Sequence, residues 1–282
     1  MWEKRSRTLF LTGLGLSALI MSQIIAYALH LLFGLELKHN LIQFCATTAS
    51  IYGLDGVVYA FDIVVFYTLL LTAGLVVQQQ WASWRTFRRL QSKRDERMTA
   101  ELNQQYGSGG EPILVVACDE PRAFTMNLLN PKVVLSTGLI RLLDARELEA
   151  VIHHEMYHRK HGDPFKTFVL SLCSSVMGYV PLLRWVHQKY RTVREVLADN
   201  YAIEQLGSSV EIGSALLKLL KHRKSEKMVF SYVSFADNSI NCRIQLILDP
   251  QFEIPFKLPL KLTMISFHAV LLLGAMFFFA TL

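Results

Sequence analysis

Residues 144–161, DARELEAVIHHEMYHRKH, are the stretch from which the rest of the chain can be read. The apolar period is helical. Leu148, Val151 and Ile152 fall on one side, and Asp144 with Glu147 three residues later makes a capping-box start. Inside this helix lies His154-Glu155-Met156-Tyr157-His158, an H-E-x-x-H pattern. Four helical residues advance about 400°, so the two imidazoles leave one face about 6 Å apart along the axis and can grip one metal ion. Glu155 projects about 100° around from His154, where its carboxylate can reach a water on that ion without ligating it. The pattern predicts a metal-activated hydrolase, with His154 and His158 as ligands and Glu155 as general base. A bare polar helix face gives the same letters by chance; the cap and the apolar opposite face argue against that here.

A catalytic zinc ion takes a third protein ligand. The long form H-E-x-x-H-x-x-G-x-x-H needs Gly at 161 and His at 164, whereas the chain has His161 and Pro164, which excludes that class. The alternative is a Glu from a second helix, and residues 194–199, REVLAD, supply Glu195. Asp199 follows one turn later, placed to accept from the free ring nitrogen of a ligating His. Between the motifs runs the apolar segment 164–186, PFKTFVLSLCSSVMGYVPLLRWV. A single crossing there would put Glu195 on the opposite side of a membrane from His154 and His158. Pro181 interrupts the run, so two helices, about 165–179 and 182–206, are expected as a membrane-associated hairpin. His153 and His161 are expected to solvate or cap the motif helix, and Asp163 to terminate it. Tyr201, His187 and Arg194 are candidates for stabilising an oxyanion.

Upstream, the Gly-rich joint 106–110, YGSGG, leads into a β-rich run at 113–117, ILVVA, and a second at 132–136, KVVLS, which follows the Asn130-Pro131 turn and stops at Gly138. The second strand is either an edge that binds a substrate backbone or a strand buried in the sheet, and the sequence favours neither. A strand and helix domain of this kind, 85–256, is flanked by long apolar stretches. Residues 8–33 contain no Asp, Glu, Lys or Arg; 56–77 hold Asp62 alone; 262–282 include His268. Each meets the length needed to span about 30 Å of hydrocarbon. Asp62 and His268 are costly in lipid and are expected to face the bundle interior.

The chain of 282 residues is 52% apolar and 18% charged, which excludes disorder and makes a membrane protein the first expectation. Its formal charge of +6 collects beside the apolar stretches, in the leader MWEKRSR and in 81–97, WASWRTFRRLQSKRDER, so it reads as a topology signal. The positive-inside rule then places the N-terminus and the 85–256 domain in the cytoplasm and the C-terminus outside. No basic stripe or binding motif remains for nucleic acid. Cys45, Cys118, Cys173 and Cys242 are widely separated, which excludes a disulfide framework or a Cys zinc site.

Residues 123–125 (AFT), 131–139 (PKVVLSTGL) and 147–158 (ELEAVIHHEMYH), followed by 179–185 (YVPLLRW), Arg194-Glu195 and Asp199, resemble the integral-membrane zinc metallopeptidases. The nearest likeness is the peptidase domain of the BlaR/MecR antirepressors, with HtpX and prenyl-protein (CAAX) endopeptidases as wider relatives. The resemblance implies one Zn2+ per chain on His154, His158 and Glu195, with Glu155 as base. It implies a mainly α membrane protein, with transmembrane helices around a small α+β gluzincin-type (HExxH…E) metallopeptidase domain. The expected division is a transmembrane hairpin at 1–84, the peptidase domain at 85–256 and a transmembrane helix at 257–282.

The implied partners are the lipid bilayer and a protein substrate, such as a transcriptional repressor cut in regulatory proteolysis; a homodimer is left open. The antirepressors carry a drug-binding domain beyond their last span, and with the chain ending at Leu282 direct β-lactam sensing is not expected. The rival readings are a membrane-protein quality-control protease and a non-catalytic zinc-containing receptor or scaffold.

Overall fold

In the computed structural model, which describes residues 2–35, 41–53, 55–107, 110–222, 233–249, 252 and 256–274, helices dominate and the described strands form one three-stranded sheet. The order is α1 (Trp2–Phe33), α2 (Leu41–Ile51), α3 (Asp55–Gln91), α4 (Glu96–Tyr106), β1 (Ile113–Val116), β2 (Ala123–Met126) and β3 (Lys132–Ser136). It continues with α5 (Thr137–Leu142), α6 (Ala145–Lys160), α7 (Asp163–Val176), α8 (Pro181–Leu206), α9 (Val210–His222), α10 (Val233–Leu248) and α11 (Leu260–Gly274). The chain divides into two units. One comprises residues 1–6, 80–168 and 188–255, the other 7–79, 169–187 and 256–282.

The first unit is built on the sheet, ordered β1-β3-β2, with β1 parallel and β2 antiparallel to β3. Alternation along the strands sends Ile113, Val115, Val133 and Leu135 to one face, against Leu139, Val151 and Ile152. Leu114, Val116 and Val134 go to the other face, against Phe87 and Leu90 of α3. Both faces are therefore covered, which is why β1 and β3 read as continuous apolar runs rather than alternating ones.

The two rims of this sheet differ. Along β1 the side chains of α4 replace a neighbouring strand: Ile113 N–H donates to Asn103 Oδ1 at 3.0 Å, Asn103 Nδ2 donates to Ile113 O at 2.7 Å, and Val115 N–H donates to Thr99 Oγ1 at 3.0 Å. β3 is paired on both sides, so of the two readings of this strand the one inside the sheet holds and the one as a substrate-binding edge does not. The edge is β2. Ser136 N–H donates to Arg122 O at 3.0 Å, and the antiparallel alternation from that bond turns the backbone groups of Ala123 and Thr125 outward.

Helix α6 starts as its sequence dictates. Asp144 caps it through Glu147 N–H, and the Glu147 side chain accepts from Asp144 N–H, a complete capping box. Glu147 is buried and also takes Ser214 Oγ and Lys218 Nζ of α9, each at 2.6 Å, so the cap joins α9 to α6.

In the second unit Ile20, Ile24, Tyr27, Val65, Met177 and Leu183 share a core. Tyr27 of α1 donates to Asp62 of α3 at 2.8 Å, so Asp62 is partnered across helices. His268 differs from expectation: it is exposed, and its ring satisfies Nδ1 on Met264 O of its own helix at 2.7 Å. α7 and α8 meet at a joint before Pro181, which occupies the first position of α8, where its missing N–H costs no helical bond.

Trp2–Phe33 and Phe61–Gln91 are long and apolar enough to cross a membrane. Leu19, Ile63, Tyr67 and Leu70 stand exposed on them, an apolar surface suited to lipid. The rest of the span expected at 262–282, from 275 on, lies outside the described residues.

Gly138 admits no side chain: a Cβ there would stand 2.0 Å from Asp119 O and 2.5 Å from its carbonyl carbon, both backbone atoms. Gly138→Ala is expected to lower stability by about 1–3 kcal/mol, read as a fall in the thermal midpoint of the detergent-solubilised protein. An unchanged midpoint would contradict this packing.

Candidate metal centre

Helix α6 carries His154 and His158 on one face, and α8 brings Glu195 against them. The two Nε2 atoms are 3.1 Å apart, Glu195 Oε2 lies 3.7 Å from His154 Nε2, and Glu195 Oε1 lies 3.6 Å from His158 Nε2. Donors about 2.0–2.2 Å from a tetrahedral ion lie about 3.3–3.6 Å from one another. The three residues thus fit a single metal ion, and among the described residues they are the one group of His, Cys, Asp or Glu found with such spacing.

Each imidazole is held from behind by a carboxylate. His154 Nδ1 lies 2.8 Å from Asp199 Oδ1 in an ion-pair contact, on the side where helical spacing predicts Asp199. His158 Nδ1 donates to Asp163 Oδ2 at 2.7 Å, a contact the sequence reading misses by taking Asp163 as a terminator. α6 ends at the His161 C-cap, Gly162 adopts φ +62°, and this tight reversal brings Asp163 back beside His158. These contacts leave both Nε2 atoms free to face a metal and fix the tautomer that allows it.

Behind each carboxylate stands an arginine. Arg194 Nε donates to Asp163 Oδ2 at 2.8 Å and lies 2.7 Å from Oδ1 in an ion pair, and the side chain is buried over the Tyr157 ring. Arg194, one of the oxyanion candidates, is thus paired with Asp163. Arg243 of α10 donates through Nε and Nη2 to the two oxygens of Asp199, each at 2.7 Å, and through Nη1 to Glu195 Oε2 at 3.0 Å. Nothing in sequence spacing singles out Arg243.

Glu155 is tied to the sheet. Thr125 Oγ1 lies 2.7 Å from Glu155 Oε2 and 3.0 Å from the Glu155 carbonyl oxygen, so an edge-strand residue fixes the carboxylate next to the histidines. His153 packs between the rings of Tyr106 and Tyr201, and His161 stacks on Tyr157 with its Nδ1 2.9 Å from Tyr157 O.

The charges tune one another. Burial disfavours the imidazolium of His154, but the Asp199 and Glu195 carboxylates overcome it and raise the pKa to about 9. Burial would raise Glu195 and Asp199. For Glu195 the His154 hydrogen bond and the Arg243 and His158 charges outweigh it, and for Asp199 Arg243 and His154 do, so both carboxyls are held below the usual range.

Two histidines and a glutamate around one point, with two apolar helices long enough to span a bilayer in the same chain, are the marks of a membrane metallopeptidase. The family model described as BlaR1 peptidase M56 matches residues 21–247, and the chain belongs to that family. Among curated proteins, the regulatory protein BlaR1 of Bacillus licheniformis is 26% identical over 135 residues, covering 46% of this chain and 22% of that protein. A protease HtpX homolog of Archaeoglobus fulgidus is 26% identical over 170 residues, 59% of this chain and 47% of the relative. Protease HtpX of Idiomarina loihiensis is 31% identical over 129 residues, 44% and 40% of the two chains. The aligned part thus spans less than half the length of each of these relatives.

Because His154 of the metal-free protein holds its proton up to about pH 9, metal uptake at neutral pH must expel it. Apparent metal affinity is expected to rise with pH, by about tenfold per unit for one proton, until about pH 9. Chelator competition at pH 6.5 and 8.5 measures this, and equal affinities would refute it.

Asp163→Asn keeps the shape but removes the charge that pairs with buried Arg194. A loss of metal affinity of about 10–100-fold and of stability by about 3–5 kcal/mol is expected. Chelator competition and chemical denaturation of the variant check the two values.

Proposed function

We propose that this chain is a zinc-dependent endopeptidase that cuts a peptide bond of a protein substrate near the cytoplasmic face of the membrane. The observation that carries the reading is the convergence of His154, His158 and Glu195 at tetrahedral spacing, with Glu155 held beside them by Thr125. Two neutral imidazoles and one carboxylate are the donor chemistry of a catalytic zinc site that keeps one position open. The bound ion supplies a water acidic enough to ionise near neutral pH and a Lewis acid for the scissile carbonyl.

The chain's own residues do the rest. Glu155 takes the proton of the attacking water and returns it to the leaving amine. Thr125 keeps that carboxylate in one rotamer, and Asp199 and Asp163 keep the imidazoles facing the reacting centre. The outward backbone groups of Ala123 and Thr125 on β2 offer an extended substrate segment a strand to join. That placement aligns a peptide with the same residue that holds the base.

Basic residues support the cytoplasmic placement. Lys4, Arg5 and Arg7 lie in the opening turns of α1, before its uncharged stretch 8–33, and six more lie in 81–97, beyond the apolar stretch 56–77. By likeness to the regulatory relative, the activity is selective cleavage of a regulatory protein such as a repressor; the HtpX likeness supports quality control of membrane proteins as the second reading.

Glu155→Gln is expected to leave metal content unchanged and to lower proteolysis by about 10²–10⁴-fold, because the residue is a base and not a ligand. Proteome-wide labelling of new N-termini in cells expressing wild type or Glu155→Gln separates the readings. One or a few Glu155-dependent cuts fit regulation, dozens of unrelated membrane-protein cuts fit quality control, and none would leave a non-catalytic scaffold.

A further inference from the structure

Arg243 is the one described residue of α10 that donates to the site, and it does so with three hydrogen bonds from a guanidinium whose side chain is only 13% exposed. Its fork grips Asp199 side-on, while the remaining nitrogen holds Glu195 Oε2. Asp199 Oδ1 is shared with His154 Nδ1, so Arg243 touches the backing of one metal donor and the body of another. Ile247, one turn further along α10, packs with Ala150, Ala202 and Ile212, so the same face of the helix is seated by an apolar anchor and by an ionic one.

Arg194 does the matching work for Asp163, but it neighbours Glu195 on α8 and adds no further helix to the site. Arg243 is different in kind. The carboxylates it orients belong to α8, and Arg243 reaches them only when α10 lies against that helix.

We infer that Arg243 is a positioning residue that couples the seating of α10 to metal binding, resting on the metal reading proposed above. A carboxylate free to rotate offers a metal either oxygen or both. With Oε2 engaged by Arg243, Glu195 presents the centre with a fixed orientation, and Asp199 stays ionised and aimed at His154. Coupling of this kind is reciprocal: if α10 raises metal affinity, metal must stabilise the seated α10 by the same factor.

The test uses the full chain purified in detergent. Arg243→Ala is expected to weaken zinc binding by about 10–100-fold in chelator competition and to shift the visible absorption of the Co2+-loaded protein. Arg243→Lys restores charge without the fork and should recover part of the affinity. Ile247→Ala loosens α10 with the Arg243 fork intact; by the same coupling it should lower thermal stability and weaken zinc binding, by less than Arg243→Ala, while the Co2+ spectrum of the fully loaded protein stays that of wild type.

In hydrogen exchange, zinc should slow the amides of residues 240–248 in wild type and lose that effect in Arg243→Ala. Arg243→Ala affinity within twofold of wild type together with an unaltered Co2+ spectrum, or no zinc-dependent slowing in wild type, would overturn the inference. If Arg243→Ala does not fold, Arg243→Lys carries the test, and wild-type affinity with an unaltered spectrum in it counts against the coupling. A wild-type chain that binds no zinc would instead remove the metal reading itself, and this inference with it.

Discussion

Four carboxylates, those of buried Glu155, Asp163 and Asp199 and of partly buried Glu195, gather around one pair of imidazoles, and like charges so placed repel. Their repulsion is answered locally. Arg194 and Arg243 each neutralise one backing carboxylate, and a divalent ion brings the sum of formal charges in this set to zero with the histidines neutral. Without an ion, a proton on His154 supplies part of the missing charge, as its raised pKa reflects. The arginines and the joint at Gly162 both follow from the need to hold so much negative charge in a fixed arrangement.

That arrangement also explains which parts could be read in the sequence. His154, Glu155 and His158 share a helix, and Glu195 and Asp199 share another, so the relation within each set follows from a 3.6-residue period. The cap at Asp144 and Glu147 is equally local. Asp163 and Arg243 have no such rule. Asp163 reaches His158 only because the chain reverses at Gly162, and Arg243 meets Asp199 across a separation in sequence that no period spans.

The strands show the same division. β1 and β3 are short apolar runs bounded by turn residues, and both are visible. β2 is four residues long, and Phe124 and Met126 alternate with Ala123 and Thr125 against two buried faces, so no polar and apolar alternation marks it. Which strand is the edge depends on parallel pairing between β1 and β3, a property of the assembled sheet. Asn103 and Thr99 then seal the far rim, in a helix whose mostly polar letters give no sign of that task.

The bond between Tyr27 and Asp62 bears on how such a chain enters a bilayer. A lone carboxylate at the centre of an inserting helix costs about 2.5–3.5 kcal/mol; Asp62, near the start of its apolar stretch, bears a smaller part of that cost. α1 emerges from the ribosome first and brings a phenol that can share the carboxylate's burden, so α3 does not have to partition alone. The bond also makes α1 and α3 depend on one another, since loss of either partner would leave the other's polar atom unmet on an otherwise apolar helix.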